Sequence, residues 1–171
     1  KKKKAAYIGE EGMKIALLDN GFTIDPDNPD FLFVGLDRQA TYRDYSFALR
    51  ALKNGAKLVG TNNDRILLSQ DGFNIGNGSV VAMFEYATNQ EALKIGKPHL
   101  PIIQGALRYS NALKEDVIII GDNLETDIKL GENAGIETIF VTTGVNTMED
   151  CYTLDIKPTY IIDKLSNLIR D

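Results

Sequence analysis

The sequence predicts an α/β fold built on parallel sheets, and three observations carry that expectation. Short apolar runs alternate with segments of helical periodicity along the whole chain. Several of those runs, such as FLFVGL at 31–36, lead into polar turns. The hydrophobic content of 43% is enough for a real core. Strands alternating with helices place the strands side by side and the helices over the sheet faces.

Taken in order, residues 5–8 are a short strand. Residues 11–20 carry Met13, Leu17 and Leu18 at helical spacing, and Asn20-Gly21 supplies a C-cap signal. IDPDNPD at 24–30 is a turn-rich connector. FLFVGLD at 31–37 is a buried strand and a polar turn. Residues 41–54 are a helix with one face made by Tyr45, Ala48, Leu49 and Leu52, ended by Gly55. AKLVGTNND at 56–64 is a strand running into a polar loop. Residues 65–79, rich in Gly and Asn, are expected as loop, and 80–88 as helix. LKIGKP at 93–98 is a short strand and a turn. The fixed φ of Pro98 suits the first turn of a helix, continued by 100–113. Residues 117–120 are a strand, 126–133 a helix with Gly135 after it, and 138–142 a strand. Residues 160–162 are the last strand and 164–170 the last helix. The clearest break in organisation falls near Leu93, dividing the chain into residues 1–92 and 93–171.

Composition narrows the functional classes. A net charge of −5 argues against nucleic acid or a membrane surface as partner. The basic run Lys1 to Lys4 is short and terminal, as a solvated end is. Cys151 is the single cysteine, so no intrachain disulfide can form. That fits a reducing compartment, and a cytoplasmic location is expected. No apolar run approaches a membrane span, and no signal peptide is visible.

The chemistry concentrates in VIIIGDNLETDIKLGENAG, residues 117–135. In an open parallel sheet, ligands bind outside the carboxyl ends of the strands. Asp122 stands at such an end, after Gly121, where a glycine lets the backbone turn sharply. Asp127 follows about one helical turn later, near a helix N-terminus that favours its charge. Carboxylates of this kind suit Mg²⁺, which leans on one or two of them plus a phosphate. The same residues also suit an ordinary turn and an N-cap. Lys97, in IGKP, also follows a short strand, and its ammonium could neutralise a phosphoryl group or an attacking carboxylate.

IGKP at 95–98, GDNLETDI at 121–128 and VTTGV at 141–145, in that order, resemble the haloacid dehalogenase (HAD) superfamily. More narrowly, they are similar to its NagD-type and p-nitrophenyl phosphatase-like branch, subfamily IIA. Upstream, AAYIGEEGMKIALLDNGF, FLFVGLDRQATY and LVGTNND resemble the large α/β cap domain of that branch. The similarity runs through essentially all of the chain. It implies a HAD-like Rossmannoid parallel sheet with an incomplete core, residues 93–171, plus an α/β cap over residues 1–92.

The resemblance also implies a mechanism. An Asp of a DxDG motif attacks phosphorus and forms an aspartyl-phosphate, and the second Asp of that motif is general acid and base. Lys97 matches the lysine that steadies nucleophile and phosphate. Asp122 matches the Mg²⁺ ligand, and Asp127 the second acidic residue, near the metal or bonded to its waters. Asn123 is a neighbouring site residue. Asp37, Arg38, Asn62 and Asp64 lie in polar loops after cap strands, where they could face a small phosphorylated substrate. Sugar phosphates, nucleotides and pyridoxal phosphate all remain open. Caps of this kind often pair, so a homodimer is expected.

No DxDG occurs among the 171 residues. LLDNG at 17–21 lacks the second Asp and ends a helical pattern, and TNND at 61–64 sits within the cap. The nucleophile is therefore expected on a section outside these residues. In this fold that section's strand lies beside the one bearing Asp122, so strand 117–120 would otherwise present an open apolar edge. A second reading is a non-catalytic module that binds a phosphorylated ligand or a partner through the cap. A third is a receiver-like signalling domain, which the motif order and the long cap-like region oppose. His99, the one histidine, reads as a solvated residue at a helix start, and Cys151 as a packed or idle thiol.

Overall fold

The structure is a computed structural model and describes residues 2–168. It divides into two compact units. One runs to Ile66 and resumes over Asn74–Ile95; the other comprises Leu67–Phe73 and the chain from Gly96 onward.

The first unit contains β1 (Lys4–Ile8), α1 (Glu11–Asp19), β2 (Thr23–Ile24), β3 (Phe31–Val34), α2 (Tyr42–Lys53) and β4 (Lys57–Gly60). After a hairpin formed by β5 (Ile66–Ser69) and β6 (Gly72–Ile75), α3 (Asn77–Thr88) and β7 (Leu93–Lys94) complete it. The sheet order is β2-β1-β3-β4-β7, and every neighbouring pair is parallel. The β1–β3 register pairs Ala6 with Leu32 and Ile8 with Val34, which aligns the buried residues of both strands.

Local chemistry fixes the helices. Thr41 opens α2 with a capping box: its hydroxyl accepts from Asp44 N–H, while the Asp44 carboxylate accepts from Thr41 N–H at 2.8 Å. The buried stripe Ala48, Ala51 and Leu52 then faces the sheet. Leu32, Val34, Leu58, Val81 and Phe84 form the centre of the core, each almost wholly buried. Burying one such large side chain contributes roughly 1.5–3 kcal/mol.

The second unit contains α4 (Leu100–Ser110), β8 (Ile118–Gly121), a π-helical turn (Leu124–Ile128), α5 (Lys129–Ala134), β9 (Glu137–Val141), α6 (Met148–Thr153) and β10 (Tyr160–Ile162). Its sheet is parallel, in the order β10-β9-β8. β9 is central, with Thr138, Ile139, Phe140 and Val141 all buried. Among the described residues β8 pairs with β9 alone, and Ile118 and Ile120 on one of its faces are 39% and 43% exposed.

Several expectations are corrected. Residues 65–79 are not a loop: they hold the β5–β6 hairpin and the start of α3. The turn at Asp71-Gly72, with Gly72 at φ +106°, lies between two runs of strand-forming residues. Pro98 is outside α4, whose N-cap is His99 and whose first turn holds Pro101 instead. The helix expected at 126–133 begins two residues earlier as a π-helical turn. α6 was not expected, although Thr147 and Asp150 form its capping box. Of the last expected helix, 165–168 form a 3₁₀ turn, and 169–170 lie outside the described residues.

Candidate active site

Every part of this site comes from the carboxyl ends of β8 and β9 and from the turn after β7. Ile118 to Gly121 carry the chain through the sheet, and Asp122 is the first residue beyond the strand. The chain then opens into the wide turn. Asp127 N–H and Ile128 N–H both donate to the Asn123 carbonyl, at 2.9 and 3.3 Å. Widening the turn swings Asp127 back onto Gly121. A Cβ at position 121 would overlap the Asp127 carboxyl, so only glycine admits that approach.

Asp127 is 7% exposed, and both of its oxygens are engaged. Oδ1 lies 2.7 Å from Lys97 Nζ, and Oδ2 accepts the Asn123 N–H at 3.3 Å. Leu124 and Ile128 are fully buried on either side of it in sequence. They pack with Phe140 of β9, so the turn is anchored by apolar contacts.

Asp122 is held differently. Its carboxylate lies against Gly144, where a Cβ would collide with it. The loop after β9 is bonded to the turn after β8 through Asn146. Asn146 Oδ1 accepts the Leu124 N–H at 2.9 Å, and Asn146 N–H donates to the Asp122 carbonyl at 3.4 Å. Asn146 Nδ2 in turn donates to Asp150 Oδ2 at 3.4 Å, within the α6 cap. The Thr147 N–H is the first cause, with Asn146 and the Thr147 hydroxyl behind it, that holds the Asp150 carboxyl below the usual carboxylate range. Asn146 and Asp150 escaped sequence reasoning, and Gly144 stood only within the VTTGV motif, with no role assigned. The only signal available was the T-x-x-D spacing of Thr147 and Asp150.

The structure thus brings Lys97, Asp127 and the Gly121-Asp122 corner together. The Asn123 side chain caps its own turn, accepting the Glu125 N–H at 3.0 Å. Asn62 and Asp64 belong to the first unit, where Asn62 Nδ2 donates to Asp64 Oδ2 at 2.7 Å in the loop after β4. In the same unit Asp37 Oδ1 accepts the Gln39 N–H, and Arg38 pairs with Glu10. His99 is not simply solvated: its Nε2 is buried and unpartnered among the described residues. The turn closed by His99 N–H on the Gly96 carbonyl tucks it in.

The donor set bears on a metal. Among the described residues no three His, Cys, Asp or Glu side chains gather into a cage. Asp122 and Asp127 are the carboxylates at this strand end that a Mg²⁺ ion completed by phosphate would use. The Asp122 carboxylate fits a direct ligand. Asp127 already serves Lys97 and the Asn123 N–H, so its remaining lone pairs suit metal-bound water.

A parallel α/β sheet with a Lys–Asp pair beside a strand-end Asp defines the site. The HAD-hydrolase-like family model matches residues 94–168, and the chain belongs to that family. It is 38% identical over 170 residues to the 5'-nucleotidase YutF of Bacillus subtilis, covering 99% of this chain and 66% of that protein. It is 39% identical over 165 residues to an acid sugar phosphatase of Staphylococcus epidermidis, covering 96% of this chain and 64% of that one. Among solved structures, the p-nitrophenyl phosphatase from Archaeoglobus fulgidus superposes with a TM-score of 0.86 at 32% identity, covering 97% of this chain and 66% of that one. The chain therefore spans just under two thirds of the length of these relatives.

Proposed function

We propose that this chain is the cap and the second part of the core of an Mg²⁺-dependent phosphatase acting on small phosphomonoesters. The observation that carries the reading is the buried Asp127 carboxylate fixing Lys97 beside the Gly121-Asp122 corner. An ammonium held there suits a transferring phosphoryl group. Bound Mg²⁺ supplies charge neutralisation on the phosphoryl oxygens, with Asp122 as ligand and Asp127 next to its water. The nucleophile is an Asp on a strand that extends the sheet along the open side of β8, where its side chain shares the crevice with Asp122. It forms the aspartyl-phosphate. Asn62 and Asp64 contribute to reading the leaving group. Relatives named for a nucleotide, sugar phosphates and p-nitrophenyl phosphate support this substrate class.

The deciding experiment is turnover of p-nitrophenyl phosphate, a hexose phosphate and a nucleoside monophosphate with Mg²⁺. It is run on the 171-residue chain and on the complete encoded polypeptide, each as wild type and as Asp122→Asn. Activity in the complete polypeptide that Asp122→Asn abolishes supports the reading. Wild-type turnover in Asp122→Asn removes it. A second reading is a phospholigand-binding module without turnover. Its mark is phosphate binding by the complete polypeptide with no hydrolysis.

A further inference from the structure

Asn77 is 1% exposed, the most buried polar side chain of the first unit. It is the first residue of α3 and stands at the carboxyl ends of β3 and β4. Its Nδ2 faces three acceptors: the Val34 carbonyl at 3.0 Å, the Asn62 carbonyl at 3.4 Å and Thr61 Oγ1 at 3.5 Å. Its Oδ1 is buried without a donor among the described residues. Flipping the amide would aim that oxygen at two carbonyls, so the chemistry of the neighbours sets its orientation. A buried acceptor left unpaired is unfavourable. The residue satisfies its neighbours rather than itself.

Its two flanking glycines serve the same loop. A Cβ at Gly76 would overlap the Asp64 carbonyl, and one at Gly78 would overlap the Asn63 carbonyl. Gly78 N–H donates to the Asp64 carbonyl at 2.8 Å, Gly76 N–H to that of Arg65 at 2.9 Å, and Ser79 Oγ to the same Arg65 carbonyl at 2.8 Å. The tetrapeptide GNGS at 76–79 thus clasps residues 61–65 along their backbone. That loop carries Asn62 and Asp64, whose side chains bond to each other at 2.7 Å.

We propose that Asn77 is a positioning residue for substrate recognition: through the backbone of residues 61–64 it sets the Asn62–Asp64 pair and so governs affinity for the leaving group. The inference rests on the functional reading above, in which that pair meets the substrate. Asn77 itself touches only protein. Its removal raises KM and spares the chemical step, because the Lys97–Asp127 arrangement involves neither it nor its partners.

The test has two parts. In the complete enzyme, Asn77→Ala raises KM for p-nitrophenyl phosphate and glucose 6-phosphate about tenfold or more and changes kcat less than about threefold. In an Asp64→Ala background the same change adds less than about twofold, because the two residues act through one element. Gly78→Ala displaces the loop without deleting the buried amide and gives the same KM-selective loss, which covers the case that Asn77→Ala fails to fold. In the 171-residue chain, amide exchange at Thr61 to Asp64 accelerates in either variant while that of Leu32 and Val34 does not. Unchanged exchange at the loop, a fall in kcat at constant KM, or equal effects with and without Asp64 overturns the positioning role. A wild-type complete enzyme without turnover overturns the functional reading instead, and the exchange result still decides whether Asn77 orders the loop.

Discussion

Lys97 and Asp127 form an ion pair at 2.7 Å that is buried on one side only: the carboxylate is 10% exposed and the ammonium 39%. The pair is asymmetric in function as well. Removing the cation leaves a buried anion short of a partner, while removing the anion leaves a lysine that water already reaches. Lys97→Met is expected to destabilise the chain by about 1–2 kcal/mol, discounted for the solvent that still reaches Lys97. It should also lower kcat/KM of the complete enzyme by 100-fold or more. Urea unfolding of the chain and steady-state kinetics of the enzyme check the two halves. Kinetics like wild type would remove Lys97 from the mechanism.

Gly121 and Gly144 face Asp127 and Asp122 respectively, at distances that admit no Cβ. Alanine at either position is expected to cost about 1–3 kcal/mol of overpacking and to misplace the carboxylate it meets. Gly131 gives the control, since a Cβ there meets Thr138, a residue outside the site. Gly131→Ala should lower the melting temperature by a similar amount and leave KM unchanged. Equal kinetic damage from all three alanines would mean that the site residues tolerate displacement.

Asn146, in the loop after β9, bonds to the turn after β8 at both Leu124 and Asp122. Asn146→Ala leaves the Leu124 N–H without its acceptor in a buried setting and is expected to cost about 1–3 kcal/mol. Faster amide exchange at Leu124 and Asn123, measured against β9, is the diagnostic readout. Protection equal to wild type at both amides would show that the loop holds itself.

Asp150 provides a pH signature. The Thr147 N–H, first, then Asn146 and the Thr147 hydroxyl depress its folded-state titration. A depressed carboxylate contributes stability above its unfolded-state value. That contribution is lost as pH falls through the folded-state value. A carbon-detected NMR titration should place the Asp150 midpoint below that of the denatured chain. Asp150→Asn should flatten the acid limb of the stability curve relative to wild type. An unshifted midpoint would show that the α6 cap is open in solution.

The open side of β8 should govern behaviour in solution. Ile118 and Ile120 present apolar surface beside backbone groups with no strand partner among the described residues. Ile120→Lys in the 171-residue chain is expected to reduce self-association, as charges on edge strands do. Light scattering as a function of concentration reads this directly. Association unchanged by the lysine would place the sticky surface elsewhere.

Much of this architecture was legible because single residues announce it. Thr41 and Gly55 bracket α2, and the four-residue apolar stripe between them set its buried face. Gly121-Asp122 marked a strand end, Lys97 stood out as a charge after a short strand, and Asp127 as one near a helix N-terminus. The β5–β6 hairpin was obscured because the Gly and Asn content of 65–79 outweighed the Asp71-Gly72 turn signal. The π-helical turn had no signature, since its apolar Leu124 and Ile128 keep the spacing of an ordinary helix. Asn146 and Asn77 were invisible for a different reason. Each works by reaching backbone far off in sequence, Asn77 as far as Val34 and Asn146 as far as Leu124.

The chain of bonds from Asp150 through Asn146 to Leu124 has a calorimetric consequence. A catalytic loop that hung freely from β8 would melt on its own and lose activity well before the protein unfolds. Here the Asp122 turn is tied to β9 and to the first turn of α6, so loosening it means opening the sheet's neighbouring strand end. Heat inactivation and the main unfolding endotherm should therefore fall together, with no earlier loss of function on the way up.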